Sequence, residues 1–84
     1  MSAEVPEYLL AHVEEALAVD PRVSEQGLRA SLEAGWLVVR GAVATDERRR
    51  AVALVAAEVA PDLRLRNRTE VAARPEPPEP EVVA

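Results

Sequence analysis

Apolar and polar residues alternate along two neighbouring stretches in the middle of the chain, residues 28–33 and 36–40. A period of two places the apolar side chains on one face of a β-strand. Ala34 and Gly35 separate the stretches, and glycine adopts positive φ without steric cost, so we expect a tight hairpin. Gly41 is expected to end the second strand, at a bulge or a close approach of two backbones. The expected core face carries Leu28, Ala30, Leu32, Leu37, Val39 and Val43.

Helical periodicity precedes this hairpin. Its apolar residues fall within about 120° of arc when each residue turns about 100°; they are Leu9, Leu10, Val13, Ala16 and Leu17. We expect a helix from Pro6 to Val19, because Pro21 disfavours helical geometry at the residue before it. Glu14 is expected on the side of this helix that faces away from the core.

A second helix and a third strand are expected after the hairpin. Thr45 is suited to cap the start of the helix, which we expect to end near Val59 because Pro61 cannot continue it. Residues 63–71 alternate again and predict a strand. From Pro75 onward the chain reads PEPPEPEVVA, which predicts an extended, polyproline-like tail that is disordered or nearly so.

The expected order of elements is helix, strand, strand, helix, strand. The second helix joins the second strand to the third, and such crossovers are right-handed in about 98 % of cases. We predict an α+β fold, αββαβ, in which both helices pack on one face of a three-stranded mixed sheet. The expected organisation is a frayed N-terminus over residues 1–5, one domain over residues 6–72 and the tail over residues 73–84.

Composition agrees with one small domain and adds a charge asymmetry. The chain has 84 residues, no Cys, one Trp and a net charge of −5. All ten basic residues are Arg. A GC-rich genome is the first explanation of this bias, and selection for bidentate contacts with anions is the alternative. The tail holds Glu76, Glu79 and Glu81 and, from Pro75 onward, no base, so the rest of the chain carries −2 (ten Arg against twelve acids).

No set of residues in the sequence predicts catalysis. His12 is the only histidine, and one His without Cys does not supply the ligands of a zinc site. The three glycines are scattered, so there is no glycine-rich phosphate loop. We therefore expect a non-enzymatic protein without a cofactor or a metal.

The chain resembles the BON domain, the bacterial osmotic-stress and nodulation module. The resemblance covers residues 6–72 and rests on the helix end at 19–23, the hairpin at 28–37, the exit at 41–43, the start of the second helix at 47–49, and Asn67. It implies an αββαβ fold and a non-enzymatic binding role, often proposed to be association with phospholipid membranes under stress. The family has no agreed catalytic or ligand-binding residues to carry over.

The sheet face without helices is the candidate binding surface. If the third strand lies beside the second, one aromatic residue, one aliphatic residue and four arginines share this face: Trp36, Val38, Arg40, Arg64, Arg66 and Arg68. Tryptophan and arginine are enriched at the centres of protein interfaces. The alternative is a solvated polar face on which one aromatic residue covers its neighbours.

Three kinds of partner fit this surface. A protein partner, or a second copy of the chain, is the first interpretation, and an anionic phospholipid surface is the second. Nucleic acid is disfavoured because the chain is acidic. The start MSAEVPEY lacks the basic and apolar pattern of a secretory signal, and no apolar run approaches the roughly 18 residues of a membrane span, so a cytoplasmic location is expected.

Overall fold

The computed structural model describes residues 7–72 and confirms the predicted αββαβ order. The elements are α1 (Glu7–Val19), β1 (Arg29–Glu33), β2 (Trp36–Val43), α2 (Asp46–Val59) and β3 (Arg64–Val71). The fraying expected at residues 1–5 and the tail expected at residues 73–84 lie outside the described residues. Among residues 7–72, neither helix has the length and apolar character needed to cross a membrane.

The three strands form one mixed sheet in the order β1-β2-β3. β1 runs antiparallel to β2, with Glu33 opposite Trp36, and β3 runs parallel to β2 after the crossover through α2. The hairpin loop consists of Ala34 and Gly35, with φ values of 51° and 82°. Positive φ at both central residues is what a type I′ turn requires, and this turn type matches the twist of the strands.

The second strand is longer than the sequence pattern indicates. The expectation that Gly41 ends the strand is wrong, because β2 continues to Val43. The expected close approach is confirmed: a Cβ on Gly41 would lie 2.7 Å from Leu28 Cδ2 and 3.1 Å from the Gly27 carbonyl oxygen. With a φ of 137°, Gly41 lets the strand pass the start of the hairpin at a distance that no side chain would permit.

Both helices cover the same face of the sheet and enclose an aliphatic core. The core residues with the largest side chains are Val13, Leu17, Val23, Leu28, Leu37, Val39, Val43, Val52 and Val55. Leu32 faces the same side but remains 36 % exposed, so its predicted burial is wrong. Its strand is at the edge of the sheet and Leu32 lies beside the turn, so packing neighbours reach it from one side only.

Side chains fix the ends of the connecting segments. Thr45 Oγ1 accepts a hydrogen bond from the Arg48 backbone N–H at 3.1 Å and caps α2 as predicted. In the loop after α1, Arg22 donates to the carboxylates of Asp20 and Glu58 at 2.8–3.0 Å. Because Glu58 lies in α2, this cluster fastens the loop to the second helix.

Polar side chains occupy backbone groups at both edges of the sheet. On β1, the Ala30 N–H donates to Glu14 at 2.8 Å, so the expectation that Glu14 faces away from the fold is wrong. On β3, the Thr69 N–H donates to the Asn67 side-chain oxygen, and the Thr69 carbonyl accepts from Arg49 Nε at 2.8 Å. Asn67 also donates to the Arg49 carbonyl at 2.7 Å, which ties the edge of β3 to α2.

Candidate binding surface

The face of the sheet opposite the helices, called the open face below, brings the six predicted surface residues together. In the parallel register of β2 and β3, each predicted residue of one strand lies directly beside one of the other. The pairs are Trp36 with Arg64, Val38 with Arg66, and Arg40 with Arg68. Neighbouring strands are about 4.8 Å apart, so the cluster follows from strand pairing alone.

Trp36 supports two guanidinium groups instead of standing free. The Arg66 Cζ lies 4.4 Å from the centroid of the indole ring and the Arg64 Cζ lies 5.5 Å from it. Attraction between a cation and an aromatic face contributes about 0.5–1 kcal/mol at exposed sites. The indole is itself half-buried, so its main effect is to hold two cationic side chains in place.

Val38 is not an exposed contact residue, contrary to its prediction as part of the accessible surface. It is only 2 % exposed although no helix covers its face, and it does not belong to the aliphatic core. The longer side chains around it form its cover, since Val38 lies in the same depression as Trp36, Arg40 and Arg66. Val38 therefore acts as the floor of the open face.

Glu33 is a member of this site that the sequence analysis missed. It forms an ion pair with Arg40 across the hairpin and accepts from Ser31 Oγ at 3.1 Å. The hydrogen bond from Arg40 is the main cause that lowers the pKa of Glu33, and the same contact raises the pKa of Arg40. The alternation of residues 29–33 does place Glu33 on this face, which is the signal that could have found it. Its carboxylate compensates the charge of Arg40.

Arg64, Arg66 and Arg68, called the arginine row below, take no part in the ion pairs of the described residues, although Arg68 lies near enough to Glu33 to help lower the pKa of that carboxyl. Within residues 7–72 none of them makes a hydrogen bond or an ion pair with a carboxylate. The acids on the same face are Glu33, which is engaged by Arg40, and Glu70, which lies in line with the row farther along β3. The arginine row therefore offers donors to an anion from outside the described residues.

The depression beside the arginine row is small. Its volume is about 180 Å³, and Glu33, Ala34, Trp36, Val38, Arg40, Arg66 and Arg68 line it. Pockets for whole small-molecule ligands usually measure about 300–1,000 Å³. A space of this size fits a single side chain or a comparable anionic group better than an entire cofactor.

The residue considered as a metal ligand, His12, lies outside the open face. His12 is exposed on α1 and lies near Tyr8 and Glu15, far along the chain from the open face. In the part of the chain that the structure describes, no three His, Asp or Glu side chains are arranged to hold a metal ion.

Comparison with family models, curated proteins and solved structures returned no match. Membership of the BON family therefore stays a prediction that rests on the motifs of residues 6–72 and on the order of elements.

Proposed function

We propose that this chain is a non-enzymatic, BON-like binding module whose open face binds carboxylate groups of a protein partner. The observation that carries the proposal is the position of Arg66, which lies 4.4 Å over the Trp36 ring without a carboxylate partner among the described residues. A guanidinium group held in this way is ready for a ligand.

Stacking on an indole leaves the donors of arginine usable. A guanidinium group carries its N–H donors in its own plane, so an aromatic ring on its flat face leaves these donors available for bidentate hydrogen bonds with a carboxylate. Immobilising a flexible side chain on binding costs about 0.5–1.5 kcal/mol. Because Trp36 already orders Arg64 and Arg66, a part of this cost is met before the ligand arrives.

The charges favour a protein partner over an anionic membrane. A basic residue near an anionic bilayer contributes about 1 kcal/mol of attraction. The open face offers three arginines without an ion pair among the described residues, but Glu33 and Glu70 share the face and the chain carries −5 overall. A flat layer of phosphates would meet these acids, whereas a peptide can place its carboxylates on the arginines only.

The indole allows a direct test, because Trp36 is the only tryptophan. Hexaglutamate, with hexaglutamine as the neutral control, is titrated into the intact chain while the tryptophan fluorescence is followed. We expect saturable binding of hexaglutamate that weakens as salt is raised, since the contacts are charged. A charge-assisted hydrogen bond contributes about 1.5–3 kcal/mol, so Arg66→Gln should weaken binding about tenfold or more.

Arg50→Gln is the matched control. Arg50 is also an exposed arginine, but it lies on α2 and pairs with Asp46, so its loss should leave the affinity unchanged. Equal effects of the two substitutions would contradict the proposal. The same titration with vesicles of anionic and of neutral lipid is the second arm. Binding to anionic vesicles that Arg66→Gln abolishes, without binding of hexaglutamate, would replace the protein partner by a phospholipid surface.

A further inference from the structure

We infer that the ligand of the open face is an acidic, proline-rich extended segment, and that residues 75–81 of the same chain occupy it in the absence of a partner. This inference rests on the proposed function, since it names the class of partner for the same arginines. The segment has the sequence PEPPEPE and is called the acidic segment below. It lies outside the described residues.

Charge complementarity is the first support. The acidic segment has three glutamates and no base. The arginine row has three guanidinium groups that no carboxylate within residues 7–72 engages. The described part of the chain otherwise has more acids than bases, with eleven Asp or Glu against nine Arg. The acidic segment therefore meets repulsion over most of the domain and attraction at the open face.

Reach is the second support. The last described residue, Ala72, donates its N–H to the Val43 carbonyl at 2.8 Å, so the chain leaves the sheet at the end far from Trp36. At about 3.3 Å per strand residue, Arg68, Arg66 and Arg64 lie about 13, 20 and 26 Å back from Ala72. At about 3.1 Å per residue of polyproline helix, the three glutamates of the acidic segment lie about 12, 22 and 28 Å beyond Ala72.

The two ranges of distance overlap when the chain reverses direction after β3. A turn over residues 72–75 brings residue 75 back beside Ala72. Glu79 and Glu81 then lie about 12 and 19 Å back along the strand, close to the levels of Arg68 and Arg66 at about 13 and 20 Å. Two glutamates therefore reach the arginine row, and one of them reaches the level of the arginine over the indole.

The prolines determine how the segment binds. Proline has no N–H for a sheet ladder, so the acidic segment cannot add to an edge of the sheet as a fourth strand. A proline-rich segment instead presents a preformed polyproline helix, so its glutamates can meet the arginine row with little loss of conformational freedom. A segment tethered by a short linker acts at an effective concentration in the millimolar range, so modest contacts suffice to fill the site.

The consequence is competition between the acidic segment and an external partner. An external ligand of the same chemistry must displace the tethered segment, so the intact chain binds it more weakly than a chain with a neutral segment. The probe is a free peptide of sequence PEPPEPE, followed by tryptophan fluorescence, with PQPPQPQ as its neutral control. The test variant of the full chain is Glu76→Gln, Glu79→Gln and Glu81→Gln together.

We expect the test variant to bind the free peptide about tenfold more tightly than the intact chain. The control variant combines Glu7→Gln, Glu15→Gln and Glu47→Gln, which remove the same charge from exposed positions on the two helices, away from the open face. It should bind like the intact chain. Adding Arg66→Gln to the test variant should abolish the gain in affinity, because the peptide then loses the arginine held over the indole.

Other outcomes separate this inference from the proposed function. Equal affinities of the intact chain and the test variant would overturn the inference and leave the proposed function standing. If the intact chain and the test variant both bind hexaglutamate but not PEPPEPE, the inference is likewise overturned and the proposed function stands. If neither binds any acidic peptide, the proposed function itself is wrong. If the mass in light scattering rises with concentration for the intact chain but not for the test variant, the acidic segment binds the open face of a second copy. That result would overturn the inference of binding within one chain.

Discussion

The two faces of the sheet bury adjacent valines by different means. Val39 faces the helices and is fully buried in the aliphatic core, whereas Val38 faces the open side and is 2 % exposed. The cover of Val39 consists of side chains that are anchored in two helices. The cover of Val38 consists of long side chains whose charged ends remain at the surface, with their apolar stems over the valine.

The difference separates stability from binding. The helix-covered face depends on close packing, and a change of one methyl group is felt there. The open face depends on an indole and on guanidinium groups that it holds at the surface. A partner can therefore bind one face of the sheet while the other keeps the fold.

The largest loss of stability is expected at Gly41, where the helix-covered face has no space for a side chain. In Gly41→Ala the new Cβ meets Leu28 and the Gly27 carbonyl, and a φ of 137° strains any residue except glycine. Backbone strain and overpacking each cost about 1–3 kcal/mol. We expect the free energy of unfolding in urea to fall by about 3 kcal/mol or more. The control Ala42→Ser, at the exposed neighbour, should be nearly neutral, and an equal loss there would contradict the packing argument.

The two valines allow the most direct test of the comparison. Val39→Ala should lower the free energy of unfolding by about 2 kcal/mol or more, because it removes buried methyl groups and leaves a cavity between rigid elements. Val38→Ala should cost only about 1 kcal/mol, because Trp36 and Arg66 can settle into the space. Urea titrations with unchanged m-values measure both. Equal costs would mean that the open face is as rigid as the core.

The hairpin turn at the end of the open face should gain stability from a better residue. Ala34 has a φ of 51°, a left-handed conformation that costs an L-residue about 1–2 kcal/mol and that Asn tolerates more easily. Ala34→Asn should raise the free energy of unfolding by about 0.5–1 kcal/mol. The matched control is Ala44→Asn, at an exposed position without positive φ. The argument fails if this control gains as much.

The smallest change in stability is expected at low pH, in the loop that joins α1 to β1. Hydrogen bonds from Arg22 lower the pKa of Asp20 to about 2. This pKa is below the unfolded value of about 3.9, so the contribution is present above pH 4 and is lost as the pH falls from about 4 to about 2. Both side chains are in contact with solvent, which keeps the effect small.

Urea titrations between pH 5 and pH 2 compare the intact chain with Asp20→Asn. The intact chain should lose more stability in this window than the variant does. Parallel curves for the two proteins would show that the contact with Arg22 contributes nothing. The pair of Glu33 and Arg40 acts with the same sign, because the pKa of Glu33 is also lowered.

The fold was predictable because its signals are local. Alternation identified all three strands, and Pro21, Thr45 and Pro61 fixed the ends of the helices to within about a residue or two. The composition of the open face followed from the same alternation once β3 was placed beside β2. The orientation of the face and the identity of its arginines could therefore be predicted without any structure.

The rest depends on contacts between distant residues, which a pattern along the chain does not contain. The continuation of β2 through Gly41 depends on the position of Leu28, and the exposure of Leu32 depends on where the helices end. Val38 is buried because Trp36 and Arg66 meet above it, which alternation cannot show. Polar residues on the core side of β3, Asn67 and Thr69, were visible in the pattern, but their bonds to Arg49 were not.

The side chains at the sheet edges also bear on how copies of this chain coexist. Glu14 occupies the outward N–H of Ala30 on one edge, and Asn67 with Arg49 occupies both backbone groups of Thr69 on the other. A strand of another molecule would have to break these hydrogen bonds before it could pair with either edge of the sheet. At high concentration, pairing of sheet edges into fibrils is therefore disfavoured, and copies associate through the faces of the domain instead.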